Sequence, residues 1–152
     1  MLPAGLPGDL RLGAAARGRR GDPGRGRRPG RDHDDLHRRG RGSGGDVLEG
    51  DSGRDVLYGQ RGADTLVGGS AADELFGGSG DDVLRGQTGK DVLRGGKGDD
   101  ELRGGKHADQ LFGKSGDDDL RGQSGPDELF GGTGSDTCLG GAGTDEISGC
   151  ES

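Results

Sequence analysis

The sequence predicts an all-β chain: a parallel β-solenoid behind a disordered N-terminal segment. Three observations carry this. Gly supplies 39 of 152 residues while apolar residues make up only 25%, too few for an ordinary core in a chain of this length. From Arg41 onward the chain divides into nonapeptides without an insertion, and a fixed short period marks a repeat architecture. The charge changes sign near residue 40. Residues 1–40 hold ten Arg and five Asp; of the 21 basic and 28 acidic residues in the chain, 11 and 23 then fall in residues 41–152, a net charge of −12. An acidic repeat attracts cations and argues against nucleic acid as a partner. Collagen is excluded because Gly does not recur every third residue. No run approaches the roughly 18–20 apolar residues of a membrane span.

Twelve units run from Arg41 to Ser148, GDSGRDVLY and GGSGDDVLR among them. Position six is Asp in all twelve, position one is Gly in eleven (Arg41 is the exception), and position eight is Leu in ten, then Cys138 and Ile147. The first six residues of a unit, rich in Gly and Asp, predict a turn, because Gly reaches positive φ without strain. The last three predict a short strand with Leu on one face and positions seven and nine on the other. Two units make an 18-residue coil. Strands then lie on opposite sides, and their leucines meet between two sheets with coils about 4.8 Å apart.

The pattern resembles the hemolysin-type (RTX) calcium-binding nonapeptide family, over residues 41–149. The resemblance implies a right-handed parallel β-roll with calcium between its loops. The chemistry of the residues agrees. One Leu per nine residues is a weak return for ordering a Gly-rich backbone, and stacking lines up an Asp column whose like charges repel. A divalent cation reverses that sign, and Ca²⁺ takes six to eight hard oxygens from carboxylates and carbonyls. The expected ligands are the position-six carboxylates of Asp46, Asp55, Asp64, Asp73, Asp82, Asp91, Asp100, Asp109, Asp118, Asp127, Asp136 and Asp145. By resemblance, carbonyls at positions two and four join them, namely Gly78, Gly80, Gly96, Gly98, Gly116, Gly132 and Gly134.

Residues two units apart share an edge. One edge carries a second acid at position five, in Asp81, Asp99 and Asp117; the other carries Arg54, Ala72, Lys90, Ala108, Pro126 and Thr144 there. The second edge also replaces the position-four Gly by Ala71 and His107, a poor choice where φ is positive. Tighter calcium binding is therefore expected on the first edge, with the sites at Ala71 and His107 weakest. At position nine, Tyr58, Phe76, Arg94, Phe112 and Phe130 form one outer column, and Arg85, Arg103 and Arg121 form the other beside Glu101 and Asp119. The aromatic column reads first as stacking that stabilises a sheet. It reads second as a flat surface for a polysaccharide or a cell-surface protein.

The only cysteines, Cys138 and Cys150, suit a disulfide that caps the last coil, with two free thiols as the alternative. A disulfide and a calcium requirement both point outside the cell, and the ending GTGSDTCLGGAGTDEISGCES resembles that of small exported bacterial repeat proteins. Residues 1–40 lack the apolar stretch of a signal peptide and read as disordered. Three readings stay open for them: an inert tail, a basic nucleic-acid arm, and a misassigned start or reading frame, the last being favoured.

GDSG at Gly50–Gly53, the loose phosphate-loop match Ala108–Ser115, and a zinc pair at His33 and His37 are each better explained by the repeat or its basic leader. No acid–base pair stands apart from the repeat, so the expectation is a non-enzymatic calcium-binding module, extracellular and structural or adhesive. The competing expectation is an accessory module of a secreted protease, lipase or polysaccharide-modifying enzyme.

Overall fold

The computed structural model describes residues 37–40 and 42–151. The readings that concern residues 1–36, the disordered or basic leader and His33 among them, lie outside the described residues.

Thirteen strands are described: β1 (His37–Arg39), β2 (Val47–Ser52), β3 (Val56–Arg61), β4 (Thr65–Ser70), β5 (Glu74–Ser79), β6 (Val83–Thr88), β7 (Val92–Lys97), β8 (Glu101–Lys106), β9 (Gln110–Ser115), β10 (Asp119–Ser124), β11 (Glu128–Thr133), β12 (Thr137–Ala142) and β13 (Glu146–Ser148). Odd strands form one sheet and even strands the other, each in sequence order and parallel throughout. Pairing such as Leu75↔Leu93 and Leu84↔Leu102 is 18 residues apart. This is the expected β-roll of two-unit coils.

Its core is a file of leucines. Leu57, Leu66, Leu75, Leu84, Leu93, Leu102, Leu111, Leu120 and Leu129 are fully buried, Leu48 nearly so, and Cys138 packs on their end. Ile147, also at position eight, is 48% exposed, because β13 is the last strand of its sheet and no described strand covers its far side.

Two expectations need correction. The strands between the two terminal ones are six residues long, not three, and run from position seven through position three of the next unit. The turn is only positions four to six. The ladder pairs positions two and three as well as seven to nine, as in Gln87↔Gly105 and Thr88↔Lys106. Position-three hydroxyls reinforce it, Ser115 Oγ donating to the Gly96 carbonyl at 3.0 Å. The second correction concerns position one. These glycines are not at positive φ; they are buried and lack room. A Cβ on Gly68 would stand 2.5 Å from Asp73 Oδ2 and 3.0 Å from the Gly86 carbonyl.

The first coil begins before the frame counted from Arg41. Strand β1 pairs with β3 at Arg38↔Leu57, 19 residues apart, and the Gly40 N–H donates to the Tyr58 carbonyl at 2.7 Å. A Cβ on Gly40 would meet the Gly59 carbonyl and Asp46 Oδ2. Gly40 therefore holds the position-one place, which explains why Arg41 broke the pattern. The first loop is one residue longer than the others. His37 opens a strand rather than the helix that a His33–His37 zinc pair requires.

Candidate metal centre

Each coil reverses direction twice, at a turn made of positions four, five and six. Position two and position four both take positive φ. Gly78, Gly80, Gly96, Gly98, Gly116, Gly132 and Gly134 do so at 111–131°, and so do Ala71 (87°) and His107 (82°) at position four. Position two holds this conformation even when it is not Gly: Asp51, Gln60, Gln87, Lys114 and Gln123 lie at 74–90°. The sequence signal for that strain was the consensus Gly these units lack.

The position-six aspartates are not on the outside of the turn, as an edge column would be. Asp55, Asp64, Asp73, Asp82, Asp91, Asp100, Asp109, Asp118, Asp127 and Asp136 are all at most 2% exposed; Asp46 and Asp145, on the end coils, are half-buried. From Asp64 to Asp136 the two oxygens of each buried carboxylate have unlike surroundings. Oδ1 accepts the backbone N–H of the aspartate one coil back: Asp64 N–H to Asp82 Oδ1 at 2.8 Å, Asp82 to Asp100 at 2.8 Å, Asp100 to Asp118 at 2.8 Å, with the same ladder from Asp73 to Asp91 to Asp109 on the other edge. Oδ2 lies over the position-one glycine of its own chain segment. In Asp64, Asp73, Asp82, Asp91, Asp100, Asp109, Asp118, Asp127 and Asp136 it is buried without a hydrogen-bond partner. Such an orphan is costly for a neutral group and more so for an anion.

The electrostatics follow. Burial pushes the carboxyls of Asp73, Asp100 and Asp109 from 3.8 up to about 7, and those of Asp82, Asp91 and Asp118 up to about 6. The backbone N–H that each accepts pulls the other way. Neighbouring carboxylates add to the rise in five of the six; at Asp91 the His107 side chain lowers it instead.

The two edges differ as their position-five residues predict. Asp99 N–H donates to Asp81 Oδ1 at 3.0 Å, Asp117 N–H to Asp99 Oδ1 at 2.8 Å, and Ser135 N–H to Asp117 Oδ1 at 2.8 Å. This exposed ladder runs opposite in direction to the buried one beside it. It also closes a cradle of oxygens. At Gly98, where a Cβ would stand, the Gly80 carbonyl and Asp81 Oδ1 lie 2.5 and 2.8 Å away; the Gly98 carbonyl and Asp99 Oδ1 crowd Gly116 in the same way, and the Gly116 carbonyl and Asp117 Oδ1 crowd Gly134. Asp81 in turn acts on the buried Asp100, and Asp99 and Asp117 on Asp118. Among the described residues no three His, Cys, Asp or Glu side chains converge on one point. The donors that fit a hard cation are carboxylate pairs together with backbone carbonyls, not a side-chain cage.

A family model describing the RTX calcium-binding nonapeptide repeat, four copies long, matches residues 41–75, 60–93, 67–100, 85–120 and 112–147. The chain belongs to the RTX calcium-binding nonapeptide repeat family. Comparison with curated proteins and with solved structures finds no match. The RTX repeat is a calcium-binding unit, and its Asp and Gly places coincide here with the buried carboxylates and positive-φ turns.

At the C-terminal end, Cys138 and Cys150 are disulfide-bonded, their Cα atoms 5.9 Å apart. On the outer face of the odd sheet, Tyr58 stacks on Phe76 (centroids 4.8 Å apart) and Phe112 on Phe130 (5.0 Å). The Arg94 guanidinium sits between the pairs, 5.1 Å from Phe76 and 5.4 Å from Phe112. The ring faces are thus taken up within the column. This supports the stacking reading over a flat platform for a sugar.

Proposed function

We propose that this RTX chain is an exported module that becomes ordered when it meets millimolar calcium and then serves as a rigid structural or adhesive element. One observation carries the reading: a column of buried aspartates with orphaned Oδ2 atoms and carboxyls pushed toward neutrality. A bound Ca²⁺ would supply the positive charge that lets these carboxylates ionise inside the fold. The residues that would hold it are the position-six aspartates and the carbonyls of turn glycines such as Gly80, Gly98 and Gly116, with Asp81, Asp99 and Asp117 adding charge on one edge. The backbone N–H groups of the aspartates keep Oδ1 oriented, and the position-one glycines, having no Cβ, leave room for Oδ2. At about 1 mM calcium, in the affinity range of extracellular modules, each site contributes about 1 kcal/mol, and several coupled sites decide the folding equilibrium. The disulfide suits an oxidising compartment. The carboxylates are all absorbed by the repeat, so the proposed role is binding rather than catalysis.

Circular dichroism of the full chain, with calcium added and then removed by EDTA, tests this. Strand signal and melting temperature that rise with calcium and fall on chelation are expected. An EDTA-stripped chain with the same cooperative melt and the same compact radius would refute it.

A further inference from the structure

The outer face of the even sheet carries an open groove of about 250 Å³, lined by Arg85, Gln87, Arg103, Gly105, Lys106 and Gln123. Its shape follows from the register. Position two runs Gln87↔Gly105↔Gln123 across β6, β8 and β10, so the bare Gly105 is a floor between two carboxamide walls. Position nine places Arg85 beside Arg103, one strand spacing or about 4.8 Å apart. Lys106 follows the floor in sequence.

Like charges this close repel unless something sits between them. Only part of the charge is answered within the chain. Arg103 pairs with Glu101, and Arg121 outside the groove pairs with Asp119 at 2.7 Å. Arg85 and Lys106 have no ion pair among the described residues, and Arg103 Nε is buried without an acceptor. In a repeat of net charge −12, this is a local cationic site. Its donors are two guanidiniums, an ammonium and two carboxamide N–H₂ groups, disposed around a small floor.

We propose that this groove binds a tetrahedral oxoanion, a sulfate or phosphate group, held between Arg85 and Arg103 and completed by Lys106 and the two glutamines. Two guanidinium forks on neighbouring strands suit an anion with oxygens facing several directions. The site uses the outer face of the folded roll and rests on the calcium reading only for the ordering of that roll.

The test is titration of the calcium-loaded full chain with sodium sulfate at constant ionic strength, chloride being replaced, and read at the arginine Nε–H resonances in NMR. Saturable shifts at Arg85 and Arg103 are expected. The double variant R85Q/K106Q should weaken binding at least tenfold, and E101Q, which frees Arg103, should tighten it. R61Q/K97Q removes the same charge from the other sheet and should bind like the parent chain. Arg61, Arg85, Lys97 and Lys106 are exposed and Glu101 is half-buried, and circular dichroism checks that each variant still folds with calcium. A sulfated disaccharide run in parallel shows whether an ester carried on a sugar also fits. Shifts that stay linear with sulfate, or equal weakening in R61Q/K97Q, would overturn the site.

Discussion

Asp100 Oδ1 accepts the backbone N–H of Asp82 at 2.8 Å, one coil back, while its Oδ2 is buried without a partner above Gly95. One carboxylate thus serves as a structural strut and as an unanswered charge. The first role is independent of metal; the second is what a cation would relieve.

Replacing Asp100 by Asn keeps an acceptor at Oδ1 and removes the charge. Asp100→Asn should raise the melting temperature of the EDTA-treated chain and shrink the further rise that calcium produces. Differential scanning calorimetry with and without calcium measures both. A variant whose calcium-induced rise equals that of the parent would place this carboxylate outside the binding site.

The pH dependence has a definite sign. These buried carboxyls titrate near 6 to 7 in the fold, against 3.8 when unfolded, so the folded chain binds protons more readily. The metal-free roll therefore loses stability as pH rises through that window; the penalty is absent below 3.8 and complete above about 7. The EDTA-treated chain should melt higher at pH 5 than at pH 7.5, and calcium should add more at pH 7.5. Metal-free stability that increases from pH 5 to 7.5 would contradict the burial of these groups.

Position-one and position-four glycines should fail differently. Gly68→Ala puts a methyl group into Asp73 Oδ2 and the Gly86 carbonyl, an overpacking cost of about 1–3 kcal/mol that calcium cannot remove. Conversely, Ala71→Gly and His107→Gly release side chains from positive φ, each relieving about 1 kcal/mol. Both should tighten calcium binding on the weaker edge. Residue-resolved calcium titration by NMR reads the edges separately; equal affinities on both before substitution would count against the asymmetry.

The Cys138–Cys150 bond closes a short loop at the end of the roll. Reduction should cost about 3 kcal/mol and expose the β12 and β13 amides first. Hydrogen exchange under reducing and oxidising conditions tests this, and uniform loss of protection along the roll would show that the bond is no local cap.

The period of nine, the invariant Asp and the alternation around Leu were enough to read the coil, the two sheets, the leucine file, the separate edges and the disulfide end. These are consequences of chain-local pattern: a side chain's face follows from its place in the strand. Three features were not legible. Strand length was underestimated because parallel pairing across coils carries the ladder through the Gly-rich positions. The inward turn of the Asp column follows from no local pattern, because its Oδ1 partner is a backbone N–H 18 residues away. The basic groove depends on Gly105 lying between Gln87 and Gln123, which are neighbours only once coils stack.

By itself, then, the order of residues determined which side chains share a row and that carboxylates would accumulate beyond what a Leu-poor core stabilises. Only the stacked coils decided that the aspartates turn inward, while the arginines keep the outer face that their place in the strand implies. The reason is that burial and hydrogen bonding here are set between coils, by atoms eighteen residues apart that meet at one strand spacing.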